Sequence, residues 1–474
     1  MNPSNQSNTI AAIATAPGRG GIGVVRVSGK NLSNFAQILT GKPLQPRVAT
    51  LCTFHDETGA PIDQGLALFF TAPNSFTGED VLECQGHGGP MVLQALLSRV
   101  LSLGAQLAMP GEFTQRAYLN GKIDLAQAES VADLIDASSV EAAKSAARSL
   151  TGEFSTRVNA LVASLTNLRI HIEACIDFPE EEIDPADVAH QAKALAEIRD
   201  QLARLMQTSK QGAVLRDGLQ VVLIGQPNVG KSSLLNCLAG EDLAIVTAIP
   251  GTTRDSVRAT IALNGVPIHL IDTAGLRKTT DAVEAIGIER TWAAVAQAGA
   301  ALLICDAAHS TINIEEAEML KSLPATMPVA RIFNKNDIYL ANVTPEVVPW
   351  EAPKASSDSS WDNLGISKVS TTSMGNSFYL SAKTGQGVDD LRKWLLHTAG
   401  WQALGEGVFL ARQRHLRALQ SAGEHLREGA ECINQFELFA EECRLAQQTL
   451  AQITGEFTPD DLLGEIFSRF CIGK

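Results

Sequence analysis

The chain has 474 residues, of which 45% are hydrophobic and 19% charged, and its formal net charge is −14. This composition is typical of a globular protein, and the length predicts about three domains. The negative charge excludes a protein that binds nucleic acid through non-specific charge, because such binding depends on basic side chains that neutralise phosphates.

Hydropathy and cysteine usage indicate the compartment. Every apolar run falls short of the roughly 18 residues that a membrane-spanning helix needs. The eight cysteines are scattered without a C-x-x-C motif, and the polar start of the chain lacks the layout of a signal peptide. We therefore expect a cytoplasmic protein with no membrane partner, no disulfide framework and no zinc site.

Residues 1–120 predict a compact α/β domain. Short strand-like runs alternate with turns, and one stretch has helical spacing of its apolar residues. The predicted strands are Ile10–Ala14, Ile22–Val27, Ala49–Phe54, Leu66–Phe70 and Val81–Cys84, and the predicted helix is Val92–Leu103. The glycine-rich stretches Pro17–Gly21 and Gly86–Pro90 fit tight turns as well as functional loops, and we interpret His87 as a turn residue.

Helical periodicity dominates residues 121–215 and returns over residues 399–474. The acidic, proline-containing stretch Asp177–Pro185 predicts a solvated loop. Helical segments on both sides of residues 216–398 indicate one helical domain that the middle segment interrupts. Two separate helical bundles would give the same pattern.

The middle segment opens with a phosphate-binding signature. The apolar run Leu219–Ile224 leads into Gly225–Ser232, which reads G-x-x-x-x-G-K-S, and Ser233–Ala239 can form the following helix. Backbone N–H groups of such a loop face a phosphate, and the helix N-terminus adds positive potential. Lys231 can then contact the β- and γ-phosphates, and the hydroxyl of Ser232 can bind Mg²⁺.

Further motifs follow in the order of a GTP-binding switch domain. They are Ile249–Thr253, Asp272–Gly275, Asn334–Asp337 and Ser381–Lys383. The first can complete Mg²⁺ coordination, and the second supplies a supporting aspartate and a backbone N–H for the γ-phosphate. The carboxylate of Asp337 suits the N1–H and 2-amino groups that guanine has and adenine lacks, and Ser381–Lys383 can support the base. The set, with each motif after a strand, predicts a GTPase.

The position after Gly275 is Leu276, where Ras-like proteins place a water-orienting glutamine. Leucine offers no hydrogen bond to water, so another group must position it, and Glu284 is the candidate. A cation beside the β–γ bridge can replace a missing arginine finger, and the amide oxygen of Asn228 suits such an ion. An exposed glutamate and a plain turn asparagine remain the alternatives.

These motifs, with several others, resemble the MnmE (TrmE) family of tRNA modification GTPases from about residue 9 to Lys474. The further stretches that carry the resemblance are Pro17–Gly21, Ser75–Asp80, Gly86–Pro90, Leu125–Glu129, Gly251–Asp255, Gly455–Thr458 and Cys471–Lys474. The resemblance implies a multidomain α/β plus α fold. A folate-binding, dimerising α/β domain (1–120) precedes a helical domain (121–215 and 399–474), which is interrupted by an inserted Ras-like P-loop GTPase domain (216–398).

The resemblance also implies site residues. The implied GTP contacts are Asn228, Val229, Gly230, Lys231, Ser232, Ser233, Thr247, Ala248, Ile249, Pro250, Gly251, Thr252, Thr253, Asp272, Thr273, Ala274, Gly275, Asn334, Lys335, Asp337, Ser381, Ala382 and Lys383. Mg²⁺ is assigned to Ser232 and Thr253, and K⁺ to Asn228, Thr247, Ile249 and Thr252. Folate contacts are assigned to Arg26, Glu83, Lys122 and Lys474. Glu284, Lys231 and Cys471 are the implied catalytic residues. Ala248 departs from the aspartate of many relatives, and the Ser-rich insert Trp350–Asn376 is longer than usual.

The implied function is K⁺-activated GTP hydrolysis that serves modification of C5 of the wobble uridine (position 34) of certain tRNAs. A tetrahydrofolate derivative, in the 5,10-methylene or 5-formyl form, is the implied one-carbon donor. A homodimer works in a heterotetramer with the FAD-dependent MnmG (GidA) protein, which brings FAD and NADH. The alternatives are an Era-like ribosome-assembly GTPase, for which no basic RNA-binding stretch is present, and a scaffold that binds GTP without hydrolysing it.

Overall fold

A computed structural model describes residues 8–177, 185–226, 228–239, 257–272, 295, 298–307, 317, 320–339, 348–349, 374–402, 407–456, 460–468 and 470–473. The chain divides into two compact units. The first comprises residues 1–135, 146–205 and 414–474, and the second comprises residues 136–145 and 206–413. No helix in these described ranges combines the length and the apolar character needed to cross a membrane.

A six-stranded sheet forms the N-terminal part of the first unit. Its strands are β1 (Ile10–Ile13), β2 (Gly20–Gly29), β3 (Thr50–His55), β4 (Pro61–Phe70), β5 (Asp80–Gly88) and β6 (Gln106–Leu107). They lie in the order β3-β4-β5-β2-β1-β6, and only the short β1–β6 pair is parallel. The helices of this region are α1 (Ser33–Thr40), α2 (Pro90–Ser102) and α3 (Glu112–Leu119). The predicted α/β character of this region is confirmed.

Alternation along the central strands builds the core of this sheet. Val25 and Val27 of β2 are completely buried, and they pack with Leu93 and Leu96 of α2 in one hydrophobic cluster. Gly23 completes this face because a Cβ there would lie 2.6 Å from the Leu93 side chain. Small residues in the strand therefore let the helix approach the sheet closely.

The interpretation of His87 as a turn residue is wrong. Residues Gly86 to Gly88 belong to β5, and the chain turns only afterwards, because Gly89 is the N-cap of α2. Asp63 of β4 accepts hydrogen bonds from the backbone N–H of His87 at 2.7 Å and pairs with its ring Nδ1 at 2.7 Å. Burial alone raises the pKa of Asp63, but the contacts with His87 outweigh it and lower the pKa below its ordinary value. Glycine density here allows strand packing: a Cβ on Gly88 would lie 2.5 Å from the carbonyl of Gly20.

Helices follow the sheet, as the periodicity predicts. They are α4 (Leu125–Ile135), α5 (Val140–Leu150), α6 (Glu153–Asp177) and α7 (Pro185–Asp217). The faces that pack inward on α6 contain Leu161, Leu165, Leu168 and Ile172, all at most 3% exposed. The predicted loop at Asp177–Pro185 falls mostly on residues 178–184, outside the described residues.

The second unit contains a seven-stranded sheet in the order β12-β13-β11-β10-β7-β9-β8. Its strands are β7 (Leu219–Ile224), β8 (Val257–Leu263), β9 (Val266–Asp272), β10 (Ala300–Asp306), β11 (Val329–Asn334), β12 (Val348–Pro349) and β13 (Met374–Tyr379). Strands β13, β11, β10, β7 and β9 run parallel, whereas the two edge strands are antiparallel. Three further described helices lie in this unit, besides the parts of α5 and α7 within its ranges: α8 (Lys231–Ala239), α9 (Asn336–Tyr339) and α10 (Val388–Thr398).

The central strands β7 and β10 are buried almost throughout, which is typical of parallel strands covered on both faces. The Ser-rich insert Trp350–Asn376 is not a loop throughout, because Met374 to Asn376 already belong to β13. Residues 350–373 of that insert lie outside the described residues.

Three helices close the described chain: α11 (Gln413–Glu431), α12 (Phe436–Thr454) and α13 (Asp460–Ser468). Within the region 399–474, where the sequence predicts helices, the first described helix, α11, begins at Gln413. Helix α12 packs along α6. Helix α11 lies close to α7, since a Cβ added to Gly423 would be 3.6 Å from the side chain of Leu202. Helical segments from before and after the middle segment thus share one unit. The division of the chain at residues 120, 215 and 398 stays a prediction.

Candidate functional site

The loop Gly225–Ser232 joins β7 to α8 at the carboxyl edge of the parallel sheet. Gly225 and Gly230 have φ of +156° and +94°, and a Cβ on either would meet another atom at 2.4 Å and 2.2 Å respectively. The contacted atoms are the carbonyl oxygen of Ile304 and the side-chain nitrogen of Asn334. Only glycine fits both positions, which explains the spacing of the motif.

Lys231 is the first residue of α8, and its ammonium folds back over the loop. The Nζ atom donates to the carbonyl of Gly225 at 2.6 Å and lies 3.4 Å from that of Gln226. Ser232 and Ser233 follow with exposed side chains, and Asn228 is exposed with a left-handed φ of +66°. The loop therefore presents a lysine, two hydroxyls and an amide at one helix N-terminus, which is a suitable set for phosphates and their cations.

The side chain of Asn334 joins the loop to the motif Ser381–Lys383. It ends β11, it is only 2% exposed, and its Nδ2 donates to the carbonyl of Val229 at 2.9 Å. Its Oδ1 accepts from the backbone N–H of Ala382 at 2.9 Å. Both ends of one buried amide are thus used. Segments separated by 105 and 48 residues in sequence meet at this side chain.

The neighbouring residues complete this edge of the unit. Lys335 has a left-handed φ of +66° and pairs with Asp306 of β10 at 2.8 Å. Asp337 is half-buried in the first turn of α9, Ser381 is fully buried and Lys383 is exposed. Asp306 was not predicted from the sequence, although an aspartate at the end of a buried strand beside these motifs was an available signal.

Several predicted residues cannot be placed. Thr247, Ala248, Ile249, Pro250, Gly251, Thr252, Thr253, Thr273, Ala274, Gly275 and Glu284 lie outside the described residues. Asp272 is described only through its backbone, at the end of β9 beside Leu223 of β7. The Mg²⁺ and K⁺ assignments therefore stay predictions, as does the role of Glu284.

A second polar site lies in the N-terminal sheet. Arg26 of β2 and Glu83 of β5 are directly opposite each other, with Nε and Nη2 of the arginine 2.9 Å and 2.8 Å from the same carboxylate oxygen. The guanidinium also lies 5.9 Å from the ring centroid of Phe113. Lys122 does not join this pair among the described contacts; its ammonium donates to the carbonyl of Pro73 at 3.0 Å.

The last described residues dock on this sheet. Nη1 of Arg26 donates to the carbonyl of Gly473 at 3.4 Å, and the N–H of Gly111 donates to the carbonyl of Cys471 at 3.3 Å. Cys471 is the exposed cysteine of the eight, and all eight are free thiols. The structure thus brings Arg26, Glu83 and the segment of Cys471 together. Lys474 lies outside the described residues.

Sequence reasoning missed Gly111 and Phe113. Gly111 has a left-handed φ of +67°, and a Cβ there would lie 2.7 Å from the carbonyl of Phe467. The Pro-Gly pair at 110–111 directly before a helix was the available signal. Sequence reasoning also did not foresee that Glu79 would be a buried ion-pair partner of Arg116 at 2.9 Å.

Comparison with known proteins covers nearly the whole chain. Residues 9–122 match a model described as "GTP-binding protein TrmE N-terminus", and residues 125–471 match one described as "MnmE helical domain". A protein of Thiobacillus denitrificans named tRNA modification GTPase MnmE is 56% identical over 465 residues, 98% of each chain. This chain is also similar to two further proteins of the same name. One is from Azoarcus sp. (56% identical over 465 residues, 98% of each chain), and the other is from Chromobacterium violaceum (54% identical over 475 residues, 100% of each chain). The chain therefore belongs to the MnmE family of tRNA modification GTPases.

Proposed function

We propose that the protein hydrolyses GTP and that hydrolysis serves the modification of C5 of the wobble uridine (position 34) of certain tRNAs. The observation that supports the GTPase most strongly is Asn334, whose buried amide ties the phosphate loop to the two base-recognition segments. A site built in this way recognises the phosphates and the base as one ligand.

Lys231 has the principal electrostatic role in this proposal. Its ammonium is bound to loop carbonyls at 2.6 Å and 3.4 Å, and a phosphate that enters the loop replaces these neutral acceptors with anionic ones. Hydrogen bonds between charged partners are about twice as strong as neutral ones. Lys231 therefore stabilises charge that builds on the bridging and terminal oxygens as the γ-phosphoryl group leaves.

The donor set also fits Mg²⁺. The exposed hydroxyl of Ser232 lies next to Lys231 at the start of α8, where a hard cation can bind a phosphate and a hydroxyl together. Ser232 and Thr253 would hold the ion, and bound Mg²⁺ supplies neutralisation of the phosphate oxygens.

K⁺ is proposed to replace the arginine finger. Asn228 has an exposed side chain on the left-handed corner of the loop, so its amide oxygen is available to a cation. Thr247, Ile249 and Thr252 would complete the site, and Glu284 would orient the attacking water in place of the residue that Leu276 cannot provide. Hydrolysis would then need two GTPase domains of a homodimer to pair.

The N-terminal site is proposed to hold the one-carbon donor, a 5,10-methylene or 5-formyl tetrahydrofolate. Arg26 and Glu83 offer a paired cation and carboxylate beside an aromatic ring, which suits a heterocycle with donor and acceptor edges. Lys122 and Lys474 would bind the anionic glutamate of the cofactor. Cys471 would act in the modification itself, in a cytoplasmic complex with tRNA and the FAD-dependent MnmG (GidA) protein, which supplies FAD and NADH.

The test of the GTPase is turnover in KCl and in NaCl at equal ionic strength. We expect stimulation by K⁺ of roughly tenfold or more, since an arginine finger contributes more than this in related enzymes. Asn228→Ala should remove the stimulation and leave the rate in NaCl unchanged. Lys231→Ala should abolish turnover in both salts, and equal rates of the unmodified protein in the two salts would contradict the cation mechanism.

A further inference from the structure

The stretch Leu125–Glu129 is similar to a family motif, yet the proposed chemistry gives it no role. It forms the first turns of α4, and the carboxylate of Glu129 is 1% exposed. Arg414 makes a bidentate contact with the carboxylate of Glu129: its Nε is 2.8 Å from Oε1 and its Nη2 is 2.7 Å from Oε2. His415 adds a contact of 2.9 Å from Nε2 to Oε2. We call these three residues the Glu129 cluster.

The cluster is a charged group inside the first unit. Burial by itself raises the pKa of Glu129, but the adjacent His415 ring, followed by the hydrogen bonds and charge of Arg414, holds the pKa well below its usual range. The ring of His415 also packs on Phe154 of α6 with 5.3 Å between centroids. Because removal of one partner leaves a buried charge uncompensated, the three side chains keep one arrangement or lose it together.

Arg414 makes further contacts that reach the end of α12. Its Nη1 donates to the carbonyl of Gln452 and its Nη2 to that of Ile453, both at 3.1 Å. These carbonyls lie in the last turn of the helix, where intrahelical partners are lacking and positive charge is favoured. Glu129 therefore fixes the end of α12 through the guanidinium that it orients.

Helix α4, which contains Glu129, also contacts α13, the helix that follows α12. Leu125 and Ala128 pack with Phe467 and Phe470 in one hydrophobic cluster that α13 shares. The carbonyl oxygen of Gly455, just after α12, accepts a hydrogen bond from the hydroxyl of Tyr118 at 2.8 Å. Gly455 is thus held by α3, and the C-terminal turn of α13 packs on α4.

We propose that Glu129 is a positioning residue for the thiol of Cys471: through Arg414 it fixes the end of α12, and with the packing of α4 on α13 it sets where the segment 470–473 lies. The role of Cys471 in modification is that of the proposed function, on which this inference rests. Glu129 is not one of the residues proposed to contact GTP or tRNA, so we expect GTP hydrolysis to be independent of it.

The test uses full-length Glu129→Gln, which keeps the shape of the side chain and removes its charge. We expect the kcat of tRNA modification to fall at least tenfold with an unchanged KM for tRNA, and GTP turnover to stay within twofold. Hydrogen exchange of the amides in 460–473 and at Gly111 should become at least tenfold faster. Arg414→Lys keeps the positive charge but loses the bidentate contact with Glu129. It should lower the kcat of modification and speed up amide exchange in the same way, but by a smaller factor.

The matched control is Glu442→Gln. Glu442 also pairs with a histidine between α11 and α12, His425 at 2.8 Å, but it has no contact with Arg414 among the described residues. The Glu442→Gln variant should leave the kcat of tRNA modification and the hydrogen exchange of the amides in 460–473 unchanged. Glu129→Gln with unaltered kcat and exchange would overturn the proposal, and so would parallel loss of GTP turnover and modification. If the unmodified protein does not modify tRNA at all, the proposed function fails, while the exchange comparison still decides the positioning.

Discussion

At the scale of single residues, buried polar side chains place the candidate site. Asn334 uses both ends of its amide at 2.9 Å, and the Glu129 cluster uses both carboxylate oxygens. The motif Asn334–Asp337 was visible in the sequence because guanine recognition demands those residue types. The pairing of Glu129 with Arg414 across 285 positions could not be foreseen, since no local pattern indicates a distant ion pair.

Asn334→Ala should weaken guanine nucleotide binding without unfolding the protein. The substitution leaves the carbonyl of Val229 and the N–H of Ala382 without their partner, which costs about 2 kcal/mol for buried groups. This cost lowers the stability of the free and the bound protein alike. Because the phosphate loop and Ser381–Lys383 are then no longer held together, we expect the Kd of a fluorescent GDP analogue to rise by about tenfold. Asn236→Ala, an exposed residue of α8, is the control and should leave the Kd unchanged; equal Kd values for both variants would contradict the role of Asn334.

At the scale of elements, the periodicity of apolar residues predicts that a helix or strand is present better than it predicts where that element begins and ends. The long amphipathic helices α6 and α12 were readable because apolar residues recur on one face. Strand β5 was predicted to end at Cys84 but extends to Gly88, because cross-strand pairing with β2 and the Asp63–His87 contact override the local preference of glycine for turns. Glycines in a strand mark close approach as often as a turn, and only the partner strand reveals which applies.

The thiol of Cys443 illustrates how packing of an element changes chemistry. It lies 1% exposed on α12, and burial, followed by the nearby Cys432, raises its pKa to about 12. At pH 8.5 only about one molecule in three thousand carries this thiolate. Iodoacetamide should therefore modify exposed Cys471 and leave Cys443 intact until the pH approaches 12. Mass spectrometry of the native protein measures this, with protein in urea as the control; equally fast modification of both cysteines would contradict it.

At the scale of the whole molecule, sequence reasoning predicted the family and the mixed α/β and helical fold, both confirmed by the comparisons. Four of the nucleotide-binding motifs follow the described strands β7, β9, β11 and β13, so their convergence at one sheet edge was predictable from topology, whereas Ile249–Thr253 lies outside the described residues. The docking of the terminal segment on Arg26 was not predictable from spacing. It depends on Gly111, on Gly473 and on the packing of α13, which involve residues from both ends of the chain.

In the proposed function, separate sites, one for GTP and one at Cys471, serve a single modification of tRNA. The most direct measurement is nucleoside analysis of unmodified tRNA incubated with the protein, the FAD-dependent partner, a one-carbon tetrahydrofolate and GTP in KCl. We predict a carboxymethylaminomethyl or aminomethyl group on C5 of the wobble uridine. Cys471→Ser should lose this product with unchanged GTP turnover, whereas Lys231→Ala should lose both. A wild-type level of product from either variant, or an unchanged uridine with the unmodified protein, would contradict the account.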